Sequence, residues 1–168
     1  MLRVDEYLEQ ASSLSKEEFV SRRPGFFLLK RPKKNVSLQP GPPSFGFATV
    51  TVKTDFDPFA GEWRIAPVVK RPDNPFPERI SVGRATNCDI VLRLPFISKV
   101  HAHILLEPGN KFSLRDNQPS NPTFLNHRKL EPGSTRSLSV GDMVGFGSLD
   151  FEFVDSARLY DVLRRGLL

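Results

Sequence analysis

Residues 80–106 read ISVGRATNCDIVLRLPFISKVHAHILL, and this stretch decides the fold class. It contains three short segments of β-branched and apolar residues, 80–82, 90–92 and 102–106, separated by polar, turn-forming residues. Similar segments occur on both sides of it, at residues 64–70, 112–114, 123–125, 136–138, 143–146 and 150–154. Many short strands at this spacing predict an all-β sandwich or barrel.

The two ends of the chain have a different pattern. Residues 2–11 predict a short helix, and Ser15-Lys-Glu-Glu18 fits a capping box that starts a second helix running to about Val20. Strands are expected at residues 26–30 and 45–52, on either side of a basic, proline-rich stretch. Residues 159–167 have helical spacing, which predicts a C-terminal helix capped by Asp155 or Ser156. The expected organisation is therefore an extension over residues 1–61, a β domain over 62–155 and a helix over 156–168.

The composition excludes several classes of protein. The chain has 168 residues, and no apolar run approaches the roughly 20 residues needed to cross a bilayer. The N-terminus lacks the apolar core of a signal peptide, and Leu2 stands where N-myristoylation requires glycine. A single cysteine, Cys88, excludes an internal disulfide framework. We expect a cytoplasmic protein that does not insert into a membrane.

The net charge of +5 is unevenly distributed, because residues 21–40 carry six basic groups and no acidic one. The ordinary interpretation of such a run is a solvated face. A second hypothesis is that residues 22–34 bind nucleic acid or an anionic surface, or serve as a nuclear localisation signal in a eukaryote. The segment has few interleaved aromatic residues and no recognisable nucleic-acid module, so nucleic acid is not the expected partner.

Three polar motifs lie where a predicted strand should end and a loop begin: Gly83-Arg84, Ser98-x-x-His101 and Ser120-Asn121. With Lys99 they supply a guanidinium, a hydroxyl, an ammonium and a carboxamide, without a nucleophile–base pair. A guanidinium can donate two parallel hydrogen bonds to a phosphate, which a lysine cannot reproduce. The set suits holding a phosphorylated side chain without reacting with it, and it predicts a binding module.

Catalytic and metal sites are not expected. The chain has no G-x-S-x-G elbow, no Walker loop and no paired carboxylates beside a base. His101 and His103 have strand spacing, but no cysteine or carboxylate cluster accompanies them at ligand spacing. We therefore expect no enzyme, no cofactor and no metal, and we interpret His101 as a structural residue that stiffens its loop.

Taken in order, the motifs resemble the forkhead-associated (FHA) domain. The matching segments are Ile80-Ser-Val-Gly-Arg84, Asp89-Ile-Val-Leu92, Ser98-x-x-His101-Ala-His-Ile104, Leu114-x-Asp116, Ser120-Asn121-x-Thr123-x-x-Asn126 and Val140-Gly-Asp142 followed by Phe146-Gly147. The resemblance implies a β-sandwich of about eleven strands that binds phosphothreonine peptides through loops at one end.

The resemblance also implies a role for each site residue. Arg84 and Ser98 would contact the phosphate, and Lys99 would add charge or a backbone amide. Ser120 and Asn121 would hold the peptide backbone. His101 and Asn126 would brace the loops, while Gly83 would allow close backbone approach to the ligand. This chain has Pro122 where the family usually has glycine; because proline fixes φ and lacks an N–H, the change bears on the peptide-backbone contact more than on the phosphate.

The function expected from the sequence is a non-catalytic phosphothreonine-binding adaptor or regulator in Ser/Thr kinase signalling, whose partners are kinase substrates or the kinase itself. Two alternatives stay open: a sandwich with a degenerate pocket that makes phospho-independent protein contacts, and the basic nucleic-acid binder described above. A smaller hypothesis is that phosphorylated Thr54, in Thr54-Asp-Phe-Asp57, occupies the chain's own site, or that of another copy, and switches it off.

Overall fold

The computed structural model describes residues 2–33 and 57–166, which form a two-sheet β-sandwich with short helices near both ends. Its strands are β1 (Leu2–Arg3), β2 (Phe26–Lys30), β3 (Arg64–Pro67), β4 (Arg79–Gly83), β5 (Ile90–Val91), β6 (Ala102–Glu107), β7 (Lys111–Asp116), β8 (Thr123–Leu125), β9 (Arg128–Lys129), β10 (Thr135–Leu138), β11 (Met143–Phe146) and β12 (Leu149–Asp155). The predicted fold class is confirmed, with twelve strands within the described ranges. The predicted strand at residues 45–52 and Thr54 lie outside them.

The strands form a seven-stranded sheet, in the order β1-β3-β2-β12-β11-β8-β9, and a five-stranded sheet, in the order β10-β7-β6-β4-β5. Neighbouring strands are antiparallel except β4 and β5, which are parallel. A core that includes Leu28, Val82, Ile104, Phe146 and Phe153 fills the space between the two sheets. The sheets therefore bury one face each against the other, as sandwich sheets do.

Three helices cover the outer face of the seven-stranded sheet: α1 (Asp5–Ser13), α2 (Lys16–Arg22) and α3 (Ser156–Gly166). The predicted capping box is confirmed, since Ser15 Oγ accepts from the N–H of Glu18 at 3.2 Å and the Ser15 N–H donates to the Glu18 carboxylate at 3.0 Å. The first helix starts at Asp5 and not at Leu2, because Leu2 and Arg3 pair with β3.

The extension is part of the sandwich, since β2 lies between β3 and β12 in the seven-stranded sheet. Four of its five residues are buried because both faces are covered. Leu28 points into the core between the sheets, while Phe27 and Leu29 join a second core against the helices. That second core also contains Leu159 and Leu163 of α3, so both ends of the chain pack on one sheet.

The basic segment at residues 22–34 is largely neutralised where the structure describes it. The Lys30 ammonium lies 2.9 Å from the carboxylate of Asp57, and both side chains are almost fully buried. Arg31 pairs with Glu152, Arg23 pairs with Glu6, and Lys33 Nζ lies 3.6 Å from the Asp150 carboxylate. Arg22 alone, among the described basic residues of this segment, makes no ion pair. The segment is therefore not a continuous cationic surface.

Candidate functional site

Strand register brings the three predicted loops to one end of the five-stranded sheet. Ala102, the first residue of β6, lies opposite Val82 near the end of β4 and opposite Asp116 at the end of β7. The loop after β4, the loop before β6 and the loop after β7 therefore start from one level of three adjacent strands. Gly83 is the last residue of β4, and Arg84, residues 98–101 and residues 120–121 lie in these loops.

The Arg84 side chain is held in place while most of its donors stay available. Its Nε donates to the carbonyl of Ile97 at 3.0 Å, and its backbone N–H donates to the carbonyl of Ser98 at 2.9 Å. Arg84 is half-buried and makes no ion pair with any carboxylate in the described part of the chain. Because Nε is used for positioning, the two terminal nitrogens can donate to an anion.

Ser98 connects the second loop to the third. Its Oγ accepts a hydrogen bond from the backbone N–H of Ser120 at 3.1 Å. A serine hydroxyl that already accepts can rotate its own hydrogen towards another acceptor. The Ser98 hydroxyl can therefore donate to an anion, and Ser120, which is exposed, lies beside it.

Gly83 is required by the chain's own backbone. A Cβ at this position would lie 2.2 Å from the carbonyl oxygen of Lys99 and 2.9 Å from Cα of Val100. Close approach of two loops is thus a reason for glycine at this position in addition to the predicted approach to a ligand. The Lys99 carbonyl also accepts from the Ala85 N–H at 3.0 Å, and the Lys99 residue is exposed.

His101 lies fully buried beneath this surface. Its Nδ1 accepts from the Ser98 N–H at 3.3 Å, and its ring meets Phe146 edge-on with centroids 5.6 Å apart. Burial lowers the pKa of His101 to about 4, although the Asp116 carboxylate and the Pro122 carbonyl act in the opposite direction. A neutral imidazole in this position supports the loop that presents Ser98, and it is too deep to touch a ligand.

The Asn121 carboxamide does not face outwards as its predicted contact with a peptide backbone would require. The residue is 4% exposed, and its Nδ2 donates to the carbonyl of Phe96 at 2.9 Å. The next residue, Pro122, accepts from the N–H of Gly147 at 3.0 Å, so this loop is tied to the end of β11. Within this structure Asn121 positions the Phe96 loop, and Ser120 is the exposed member of the pair.

Two further residues stabilise the loops. Asn126, with a φ of 51°, donates to the Asp142 carboxylate and accepts from the Met143 N–H, each at 2.9 Å. Asp89, which the sequence analysis did not select as a site residue, accepts from Arg71, Asn74 and Ser81. Burial alone would raise the pKa of Asp89, but these hydrogen bonds together lower it.

The described residues of the site present hydrogen-bond donors and positive charge. The Cys88 thiol is 2% exposed, its sulfur lies 3.2 Å from the Lys99 carbonyl, and burial raises its pKa. Across residues 2–33 and 57–166, no three His, Cys, Asp or Glu side chains gather as metal ligands would. In the same ranges no helix is both long and apolar enough to span a bilayer.

Comparison with known proteins finds a family model that matches part of this chain. Residues 80–147 match the model of the FHA domain family. The chain is 34% identical over 79 residues to an ABC transporter ATP-binding/permease protein of Mycobacterium tuberculosis, a match covering 47% of this chain and 9% of that protein. It is 33% identical over 82 residues to the protein FraH of Nostoc sp., covering 49% of this chain and 26% of FraH. The matches thus span only a small part of either relative.

Among solved structures, the N-terminal FHA domain of S. cerevisiae Rad53p, in complex with a phosphothreonine peptide, aligns with a TM-score of 0.48 and 23% identity. The alignment covers 59% of this chain and 90% of that one.

Proposed function

We propose that the protein is a non-catalytic module that binds phosphothreonine peptides, since residues 80–147 match the model of the FHA domain family. The observation that carries this proposal is the link between the three loops, in which Ser98 accepts from Ser120 while its backbone carbonyl accepts from Arg84. The terminal nitrogens of Arg84, the Ser98 hydroxyl and the Lys99 ammonium would together surround one phosphate.

The charge of the ligand suits these donors. A phosphothreonine carries about −1.5 to −2 charges at pH 7 and three acceptor oxygens. Each charge-assisted hydrogen bond contributes roughly 1.5–3 kcal/mol. Three such bonds, less the cost of association, correspond to micromolar binding, about −8 kcal/mol. The partners would be proteins phosphorylated on threonine, either substrates of a Ser/Thr kinase or the kinase itself, for which the module would act as an adaptor in the cytoplasm.

Titration of a phosphothreonine peptide library against the wild type and Arg84→Ala tests the proposal. We expect micromolar binding by the wild type and a loss of at least tenfold in Arg84→Ala, since one bidentate contact is removed. Arg22→Ala, which removes an exposed arginine without an ion pair from α2, is the matched control. Equal binding by the wild type and Arg84→Ala would contradict the proposal.

The pH dependence gives an independent test. Affinity should fall below about pH 6 as the phosphate gains its second proton. His101 stays neutral across this range because burial lowers its pKa to about 4, so it does not contribute to the change. Constant affinity between pH 7.5 and pH 5.5 would argue against recognition of a dianionic phosphate.

A second candidate is phospho-independent protein contact, which the inward position of the Asn121 carboxamide favours. Pull-down of partners from lysate with and without phosphatase treatment separates the two functions. Retention of every partner after phosphatase treatment would support the second one. Nucleic-acid binding through residues 22–34 is disfavoured by the ion pairs of Arg23, Lys30 and Arg31. A steep salt dependence of DNA binding would support that hypothesis again.

A further inference from the structure

A groove next to the loop tips is lined by residues of two edge strands, β9 of the seven-stranded sheet and β10 of the five-stranded sheet. Its volume is about 600 Å³, and its charged lining residues are Arg128, Lys129, Glu131 and Arg136. The lining thus holds three basic side chains and one acidic one. The phosphate contacts proposed above do not use this groove.

The groove continues to the loop tips. A second cavity of about 280 Å³ is lined by Ser120 and Pro122 on the third loop, and also by Lys129 and Leu130. Because Lys129 and Leu130 line both cavities, the two form one surface that leads from Ser120 to Arg136. A peptide whose backbone lies against Ser120 would meet this surface as it leaves the loop tips.

The cations of the groove are not neutralised within the described part of the chain. Arg128, Lys129 and Arg136 are exposed, and none of them has a carboxylate within ion-pair distance there. Asp116, the one acidic residue of the smaller cavity, is 3% exposed and accepts from the N–H groups of Gln118 and Gly133. The arrangement contrasts with the basic segment at residues 22–34, where four of the five described basic residues are paired.

Edge strands often carry lysine and arginine because these charges prevent pairing with other chains. That role explains charge on β9 and β10, but it does not require a groove that opens onto Ser120. It also gives no reason for these three cations to lack an ion pair within the described residues, although Glu131 lies in the same lining. An acidic ligand accounts for both features.

We propose that this groove receives acidic residues on one flank of the peptide whose phosphothreonine occupies the loop tips. The proposal rests on the proposed function and adds a specificity to it. An extended peptide advances about 3.3 Å per residue, so a flank of four residues covers roughly 13 Å of the surface. Several acidic side chains on that flank can therefore face Lys129, Arg128 and Arg136.

Fluorescence anisotropy with three phosphothreonine peptides tests this specificity. One has four glutamines on each side of the phosphothreonine, one has four glutamates on its N-terminal side, and one has four glutamates on its C-terminal side. We expect one of the two acidic peptides to bind about tenfold tighter than the neutral one at 50 mM salt, because exposed ion pairs each contribute modestly. The gain should shrink towards zero at 0.5 M salt.

The triple variant Arg128→Gln/Lys129→Gln/Arg136→Gln should lose this tenfold gain and still bind the neutral peptide as the wild type does. All three residues are exposed, so the variant is expected to fold. Its thermal melt checks that expectation.

The matched control removes the same charge from exposed positions that do not line the groove, as Arg22→Gln/Lys111→Gln/Arg165→Gln. This control should keep the tenfold gain. An equal loss in both triple variants would show that net charge, and not the groove, attracts the acidic peptide, and it would overturn the proposal.

The remaining outcomes separate this inference from the proposed function. If the neutral peptide binds but neither acidic peptide gains affinity, the groove proposal is overturned and the function stands. In another outcome no phosphopeptide binds the wild type, but an unphosphorylated acidic peptide does, and the Arg128/Lys129/Arg136 variant no longer binds it. That result would support the acidic-peptide groove and contradict the proposed phosphothreonine binding. If the variant loses affinity for duplex DNA and for no peptide, the groove is a nucleic-acid surface and the peptide proposal is overturned.

Discussion

The hydroxyl oxygen of Ser98 accepts a hydrogen bond from the backbone N–H of Ser120, with 3.1 Å between the two atoms. These residues lie 22 positions apart in the sequence, and the bond joins the loop before β6 to the loop after β7. Through its backbone carbonyl, Ser98 also accepts from Arg84. One residue therefore coordinates all three loops of the candidate site.

Replacement of Ser98 should accordingly affect both binding and loop structure. We expect Ser98→Ala to weaken phosphothreonine-peptide binding by about tenfold or more, because a hydrogen bond to a charged group contributes roughly 1.5–3 kcal/mol. Ser98→Thr keeps the hydroxyl and should retain most of the affinity. Isothermal titration of the two variants checks this, and equal losses in both would show that the hydroxyl is not the determinant.

Gly83→Ala should damage the site through its backbone. The new Cβ would meet the carbonyl oxygen of Lys99 at 2.2 Å, and backbone atoms cannot move aside as a flexible side chain can. We expect a loss of about 3 kcal/mol in the free energy of unfolding, typical of severe overpacking, together with weaker phosphopeptide binding because the loop holding Ser98 is displaced.

Gly61→Ala is the control for this experiment, since a Cβ at Gly61 has no atom within 4 Å. Chemical denaturation of both variants measures the difference. If Gly83→Ala is as stable as Gly61→Ala, the close contact between the two loops does not exist in solution.

Asn121→Ala should lower the free energy of unfolding, and any effect on peptide binding should follow from that loss of stability. Removing the carboxamide deletes the hydrogen bond that Asn121 Nδ2 donates to the Phe96 carbonyl at 2.9 Å, and an intramolecular hydrogen bond contributes about 0.5–1.5 kcal/mol. Asn87→Ala, which changes an exposed asparagine, should stay within about 0.5 kcal/mol of the wild type. Unchanged stability of Asn121→Ala with lost binding would instead favour the predicted peptide contact.

The strands that sequence analysis located are those with apolar residues to bury. Residues 26–30, 123–125 and 143–146 were predicted at their observed bounds, since each carries an apolar or aromatic run. Strand β9 was missed because Arg128 and Lys129 are exposed and have no apolar pattern. Asn126 was a possible sequence signal, because asparagine tolerates a positive φ. In the structure Asn126 and His127 both have a positive φ, as a two-residue hairpin turn requires.

The sequence predicted which loops form the site, but it did not predict how their side chains are oriented. The motif spacing placed Arg84, Ser98 and Ser120 at strand ends, and strand register brings those ends to one level. The direction of the Asn121 side chain depends on Phe96, 25 residues away, and on how the two loops pack. No local pattern carries that information, and the same holds for the contact between Gly83 and Lys99.

A fragment cut at the predicted domain boundaries, residues 62–155, should not fold stably by itself. It lacks β2, which pairs with both β3 and β12, and it lacks the helices that bury Val154 and Ile65. We expect this fragment to aggregate or to show no cooperative thermal transition by circular dichroism, whereas the full chain melts cooperatively. A fragment that melts cooperatively near the full chain's transition would show that the extension is dispensable.

His101 makes stability depend on pH in a defined window. Its pKa falls from an ordinary 6.5 to about 4 on folding because the ring is buried, so between these values the unfolded chain binds a proton that the folded chain does not. Protonation then favours the unfolded state. The free energy of unfolding should be highest above pH 6.5 and should fall as the pH drops towards 4, by about 3 kcal/mol.

Urea denaturation at pH 7, 6, 5 and 4.5 measures this slope in the wild type and in His101→Asn. The variant should lose most of the slope, leaving the smaller contribution of the same sign from His103, whose pKa is lowered by burial and by Arg79 and Arg115. The control is His127→Asn, at an exposed turn position where asparagine tolerates the positive φ. This variant should keep the wild-type slope of stability against pH. An unchanged slope in His101→Asn would mean that this imidazole is accessible to solvent, and the loop that presents Ser98 would then lack its buried support.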